Sequence, residues 1–166
     1  MKVHRSHVAV VVGLVGLALA LVAHAGMSKK VQNKFKGRIL ISDEELPDGD
    51  SSDDAGTIRK FEKLHKTSVQ SDKVDDVASW TFFYTAFLKT QPGSGGLTMD
   101  FHKTDKAKTY VANSRLEVDS SLTIISGRLT IDENEGPNPG TAYDVIIRGK
   151  KGGKEIELAR TRLTLK

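Results

Sequence analysis

Short runs of alternating apolar residues recur down this chain, each closed by glycine, proline or acidic residues. That rhythm limits the fold more than any other feature. It has the two-residue period of a strand, and the runs are too short for long helices.

Residues 34–42 (KFKGRILIS) place Phe35, Gly37, Ile39 and Ile41 on one face and predict the first strand. Residues 79–90 (SWTFFYTAFLKT) are the densest apolar stretch of the chain after its first 25 residues. Trp80, Phe82, Tyr84, Ala86 and Leu88 share one face; Phe83 and Phe87 lie on the other. A strand apolar on both faces belongs in the middle of a sheet, covered on each side. The turn-like QPGSGG of residues 91–96 then predicts a hairpin to residues 97–103, where Leu97, Met99 and Phe101 point inward. Residues 109–119 and 122–132 make a second pair across Ser120-Ser121. A phase slip near Ser126-Gly127 predicts a bulge at Gly127. Residues 143–148 and 155–165 make a third pair, with a phase change between Leu158 and Ala159 that predicts a bend.

One helix interrupts the strands. Ile58, Phe61, Leu64 and His65 recur at helical spacing, and the acidic residues before them suit a helix N-terminus. The expected helix covers residues 54–67, between the first and second strands. The whole is mainly β: an antiparallel β-sandwich of about seven strands, with a small β-barrel as the alternative.

The first 25 residues have a different character. Lys2, His4, Arg5 and His7 form a positive head, residues 8–23 are apolar, and Ala23-His24-Ala25 has the small-x-small pattern of a cleavage site. At 1.5 Å per residue the apolar run spans roughly 24 Å, short of a hydrocarbon core near 30 Å. The pattern predicts a signal peptide at 1–25, a flexible lead-in at 26–33, and one β-sandwich domain at 34–166. A membrane anchor is the alternative if the leader is not cut.

Export changes which chemistry is open. Loss of Lys2 and Arg5 takes the formal net charge from +4 to +2, a small excess for a nucleic-acid binder. There is no cysteine, hence no disulfide, thiol nucleophile or lipid-acylation site. None of the asparagines past the leader (Asn33, Asn113, Asn134, Asn138) starts a glycosylation sequon. Both absences suit a bacterial exported protein.

Motifs for catalysis are missing. No G-x-S-x-G elbow and no phosphate-cradling G-x-x-x-x-G-K-[ST] or G-x-G-x-x-G occurs. His65 and His102 are the only histidines past the leader, placed on a helix and on a strand. A zinc site would require them to converge with carboxylates. Residues 43–54 carry seven acidic groups and no basic one. Asp48, Asp50 and Asp53 there, and Asp132, Glu133, Asn134 and Glu135 in a second acidic turn, offer oxygens that calcium could use. The EF-hand template fails, since Asp53 stands where glycine is required and Arg59 where the bidentate glutamate belongs. A solvated loop is the simpler expectation, and no cofactor is assigned.

Two further candidates remain. Asp100, Glu117 and Asp119 could supply paired carboxylates for hydrolysis if the fold brings two of them together. The aromatic cluster Trp80, Phe82, Phe83, Tyr84 and Phe87 reads as core. Charge is distributed unevenly: Arg148, Lys150, Lys151, Lys154, Arg160, Arg162 and Lys166 crowd the C-terminal stretch against Glu155 and Glu157. A basic last strand could meet an envelope protein or an anionic surface.

The resulting expectation is an exported, non-enzymatic binding or structural module of the bacterial cell envelope, periplasmic or extracellular. The alternatives are a secreted hydrolase using paired carboxylates and a periplasmic carrier of an apolar ligand, its cavity lined by Phe83 and Phe87.

Overall fold

A computed structural model describes residues 27–50, 52–74 and 76–166. The leader expected at 1–25 lies outside the described residues. Among those described, no helix is long and apolar enough to cross a membrane.

In chain order the elements are α1 (Lys29–Phe35), β1 (Arg38–Ser42), α2 (Asp54–Leu64), β2 (Ser68–Val69), β3 (Asp72–Val74), β4 (Val77–Phe87), β5 (Leu97–Lys103), β6 (Tyr110–Leu116) and β7 (Ile124–Asp132). A short 3-10 turn at Glu133–Glu135 precedes β8 (Thr141–Lys151) and β9 (Lys154–Leu165). The chain is mainly β, as expected. Among the described residues nine strands form one curled mixed sheet, a half-barrel, with two short helices. The path runs β3-β4-β1-β9-β8-β5-β6, with β7 on the other edge of β4.

Curling one sheet gives it an inside and an outside. Inward residues of all the long strands form the main core: Ile39 and Ile41 of β1, Trp80, Phe82 and Tyr84 of β4, Met99 and Phe101 of β5, Tyr143, Val145 and Ile147 of β8, and Leu163 and Leu165 of β9. The Trp80 indole donates to the Lys166 carbonyl at 2.9 Å, so a core side chain fastens the C-terminus. A second, smaller core lies outside the curl. There α1 and α2 cover the β1–β4 corner, burying Met27, Val31, Phe35, Leu40, Leu46, Phe61, Phe87 and Ile124.

Several expectations are corrected. Residues 29–35, read partly as lead-in and partly as strand, form α1. The Ser28 hydroxyl caps it by accepting the Val31 N–H, and Val31 and Phe35, one turn apart, anchor it in the outer core. Phe35 therefore does not share the face of Ile39 and Ile41. The chain turns at Gly37, whose φ of +77° suits glycine, and the first strand begins at Arg38.

The two hairpins expected from adjacency do not form. β4 pairs with β1 and β7, and β5 with β6 and β8. A strand apolar on both faces gains more from flanking strands on both edges and helices behind it than from a local partner. Only the β8–β9 hairpin forms as expected. The sheet is not wholly antiparallel either, since β1 and β2 both run parallel to β9.

The phase slip in β7 is not a bulge. Its register with β4 is unbroken from Ser79↔Asp132 to Phe87↔Ile124. Ile124 faces the outer core while Ile125, Leu129 and Ile131 face the inner one. Gly127 lies opposite Tyr84, and a Cβ there would sit 2.7 Å from the phenol oxygen. In β9, by contrast, a bulge occurs where the phase change predicts it. Ile147 pairs with Ala159 and Arg148 with Glu157, leaving Leu158 as the extra residue.

α2 starts and ends for identifiable reasons. Asp53 accepts the Gly56 N–H at 2.8 Å as its N-cap. The helix stops at Leu64, three residues short of the expected end, because His65 and Lys66 bond to the β1 backbone.

Candidate functional site

The helices cover only the β1–β4 corner. Among the described residues no helix lies over the outer face of β9, β8, β5 and β6, and each of these strands contributes charged side chains to it. Cross-strand register arranges them in rows. Thr98 pairs with Arg115 on one side and Arg148 on the other. Asp100 pairs with Asn113 and with Ile146, which pairs with Arg160. His102 pairs with Tyr110 and with Asp144, which pairs with Arg162.

Each carboxylate in these rows is engaged. Asp100 Oδ2 lies 3.0 Å from Arg148 Nε. Asp144 receives Lys108 Nζ at 2.6 Å and Arg162 Nη2 at 3.3 Å. Glu157 receives Lys89 Nζ at 2.8 Å, with Arg160 Nε at 3.9 Å. Burial pushes the Asp144 and Glu157 carboxyls up. The hydrogen bonds and charges of Lys108 and Arg162 on Asp144, and of Lys89, Arg160 and Arg148 on Glu157, outweigh that and hold both below the usual carboxylate range. These are acceptors fixed in the ionised state, unsuited to general-acid work.

Cations outnumber the acids they meet. Arg115 lies exposed on β6 and makes no ion pair among the described residues. It borders two grooves at the rim of the half-barrel. One, of about 280 Å³, is lined by Gly95, Gly96, Thr98, Arg115, Arg148 and Lys150 among others. The neighbouring one, of about 450 Å³, is lined by Gly93, Ser94, Arg115, Glu117 and Ser120 among others. The 91–96 turn packs on the β8–β9 hairpin. A Cβ on Gly93 would meet the Lys150 carbonyl at 2.2 Å, so only glycine fits there.

The other sequence candidates are dispersed. Asp119 caps a turn by accepting the Ser121 N–H at 2.8 Å, which holds its carboxyl below the usual range. Glu117 lines the larger groove, while Asp100 is held by Arg148. Asp50 accepts both the Ser52 N–H and hydroxyl, which lowers its carboxyl as well. Asp132 accepts the Asn134 N–H, and Glu135 accepts the Asp132 N–H. These acidic groups organise turns. Among the described residues no three of His, Asp and Glu converge as metal ligands. Trp80, Phe82 and Tyr84 fill the inner core, Phe87 the outer one, and Phe83 lies beneath the Arg128 guanidinium at 5.9 Å. Phe83 and Phe87 thus face away from the interior they would line in a carrier.

The two histidines are far apart in role. His65 closes the edge of β1. His102 stands on the bare face, its ring edge-on to Tyr110 at 5.7 Å and its Nδ1 3.2 Å from the Lys108 carbonyl. The expected basic strand, β9, contributes Arg160 and Arg162 to that face. Arg115 was not among the sequence candidates. It is a lone cation on a modest strand, and only the β5–β6 pairing sets it in line with Arg148. No protein family, curated protein or solved structure matches this chain.

Proposed function

We propose that this protein is an exported, non-enzymatic binding module of the bacterial cell envelope, and that the bare outer face of β9, β8, β5 and β6 docks on an anionic envelope surface. One observation carries the reading. Asp100, Asp144 and Glu157 are each already matched by a cation on this face, and Arg115 is left over. On this face Lys89, Lys108, Arg115, Arg148, Lys150, Arg160 and Arg162 outnumber Asp100, Asp144, Glu155 and Glu157, and such a positive excess attracts anions over a range set by ionic strength. The leader-like first 25 residues support export.

The hydrolase alternative has less behind it, because Asp100 is tied into an ion pair and Asp119 into a turn, which leaves Glu117 as the one candidate lining a groove. The carrier alternative loses its two proposed lining residues.

The docking reading is tested with the purified protein and vesicles of phosphatidylglycerol or of phosphatidylcholine. Binding to the anionic vesicles alone, weakened by salt and by the pair Arg115→Glu and Arg160→Glu but not by Lys60→Glu on α2, is the expected result. Binding indifferent to vesicle charge, or unchanged by the paired reversal, would sink it.

A further inference from the structure

The smaller rim groove has features that a generally basic face lacks. It brings together three cations from two strands: Arg115 on β6, and Arg148 and Lys150 on β8. Arg115 and Lys150 make no ion pair among the described residues, whereas Arg148 is shared with Asp100. Glu155 is the one acid in the lining. Thr98 lies on the floor between Arg115 and Arg148, paired to both. Those arginines are two strands apart, about 10 Å between Cα atoms. Long side chains rooted at that separation can bracket one small group above the threonine hydroxyl.

The opposite wall has no side chains to obstruct it. Gly95 and Gly96 line the groove, and Gly96 has a φ of +76°. The Lys150 stem packs against Gly95, where a Cβ would lie 3.0 Å from its own Cβ. A Cβ on Gly96 would lie 3.9 Å from the Arg115 guanidinium, in ordinary van der Waals contact. Both free cations therefore flank the same bare glycine corner.

Donors approach from several directions: a guanidinium fork, an ammonium, a hydroxyl and exposed backbone. A planar carboxylate has two oxygens and would leave part of this set unused. A tetrahedral oxyanion has acceptors for all of it. We propose that the groove between the 91–96 turn and the β8–β9 hairpin is a phosphate-binding site, in which Arg115, Lys150 and Thr98 hold the phosphate of a small monoester or of a lipid headgroup. The site specifies the chemistry behind the docking face and rests on that reading.

Titration of the purified full chain with inorganic phosphate, followed by amide resonances, tests it. Shifts at Gly95, Gly96, Thr98 and Gly149 are expected. Arg115→Ala and Lys150→Ala should each weaken the affinity by about tenfold, the loss of one charge-assisted contact, while Lys60→Ala leaves it unchanged. Arg115→Lys, which keeps the charge and loses the fork, should weaken it less than Arg115→Ala. Absence of groove shifts at millimolar phosphate, or shifts that survive both alanine variants, overturns the proposal.

Two arms separate the sources. Displacement of phosphatidylglycerol vesicles by inorganic phosphate, with loss of vesicle binding in Arg115→Ala, assigns the site to a headgroup. Saturation by glycerol 3-phosphate without vesicle binding assigns it to a free monoester, and it removes the surface-docking reading while the groove stands. Vesicle binding with the groove amides unmoved does the reverse.

Discussion

The imidazole Nδ1 of His65 accepts the backbone N–H of Ile41 at 3.1 Å, and the next residue's N–H returns to the Ile41 carbonyl at 2.7 Å. A side chain thus takes the place of a strand partner at this point on the edge of β1. The bond fixes the ring's state. Nδ1 can accept only if it carries no proton, so the imidazole is neutral with its hydrogen on Nε2.

Acid should therefore weaken this edge. Burial lowers the His65 pKa from its ordinary value, and the charge of Arg38 adds to the lowering. The unfolded chain binds the proton more readily than the folded one. The stabilisation is then complete above the ordinary histidine pKa near 6.5 and is lost as pH falls below it toward the folded value. Thermal melts should show Tm falling between pH 7.5 and 5. His65→Phe should flatten that slope while lowering stability by about 1–3 kcal/mol, the cost of an unpaired backbone N–H. An unchanged slope in the variant would show that another group titrates there.

The outer core should be as necessary as the inner one. Phe35, Phe61 and Phe87 meet with ring centroids 5.8, 5.3 and 6.4 Å apart, and all three are buried. Phe35→Ala should cost about 3–5 kcal/mol in denaturant unfolding. A loss below 1 kcal/mol would mean that α1 is dispensable to the fold.

These residues also show what could and could not be inferred from sequence. Alternation within a strand was legible because it is local: the two faces of β4 and the ends of β5 follow from the residues in them. The β9 bulge was legible for the same reason. Pairing was not, because β4 chooses β1 and β7 over the adjacent β5 on the strength of contacts far apart in the chain. α1 was hidden because its seven residues hold two apolar positions, and Phe35 fitted the strand rhythm that follows. Within the candidate site, Arg160 and Arg162 were visible as part of a basic strand. Arg115 became significant only through the register that sets it across Thr98 from Arg148.

The Asp144 node should matter to acid stability. Its carboxylate is buried while Lys108 and Arg162 are largely exposed, so solvent screens much of the interaction. Asp144→Asn should cost about 1 kcal/mol at neutral pH. The native carboxyl is held below its ordinary value, so the contribution is present above pH 4 and is lost as pH falls through the folded value. The gap in Tm between native and variant should close on acidification to pH 2–3. A gap that persists there would assign the effect to packing rather than charge.

Tyr84 and Gly127 should behave as one unit. The Tyr84 hydroxyl is buried and has no hydrogen-bond partner among the described residues, and burial pushes its pKa up to about 12. Tyr84→Phe removes an unsatisfied group and should be neutral or stabilising by up to about 1 kcal/mol. Gly127→Ala puts a methyl 2.7 Å from that oxygen and 2.9 Å from the ring carbon bearing it, an overpacking that should cost about 1–3 kcal/mol. Removing the oxygen relieves the closer of the two clashes. The double variant should therefore be more stable than the sum of the single effects predicts, with a coupling of at least about 0.5 kcal/mol. Strict additivity in chemical denaturation would mean that the ring, not the hydroxyl, excludes a side chain at position 127.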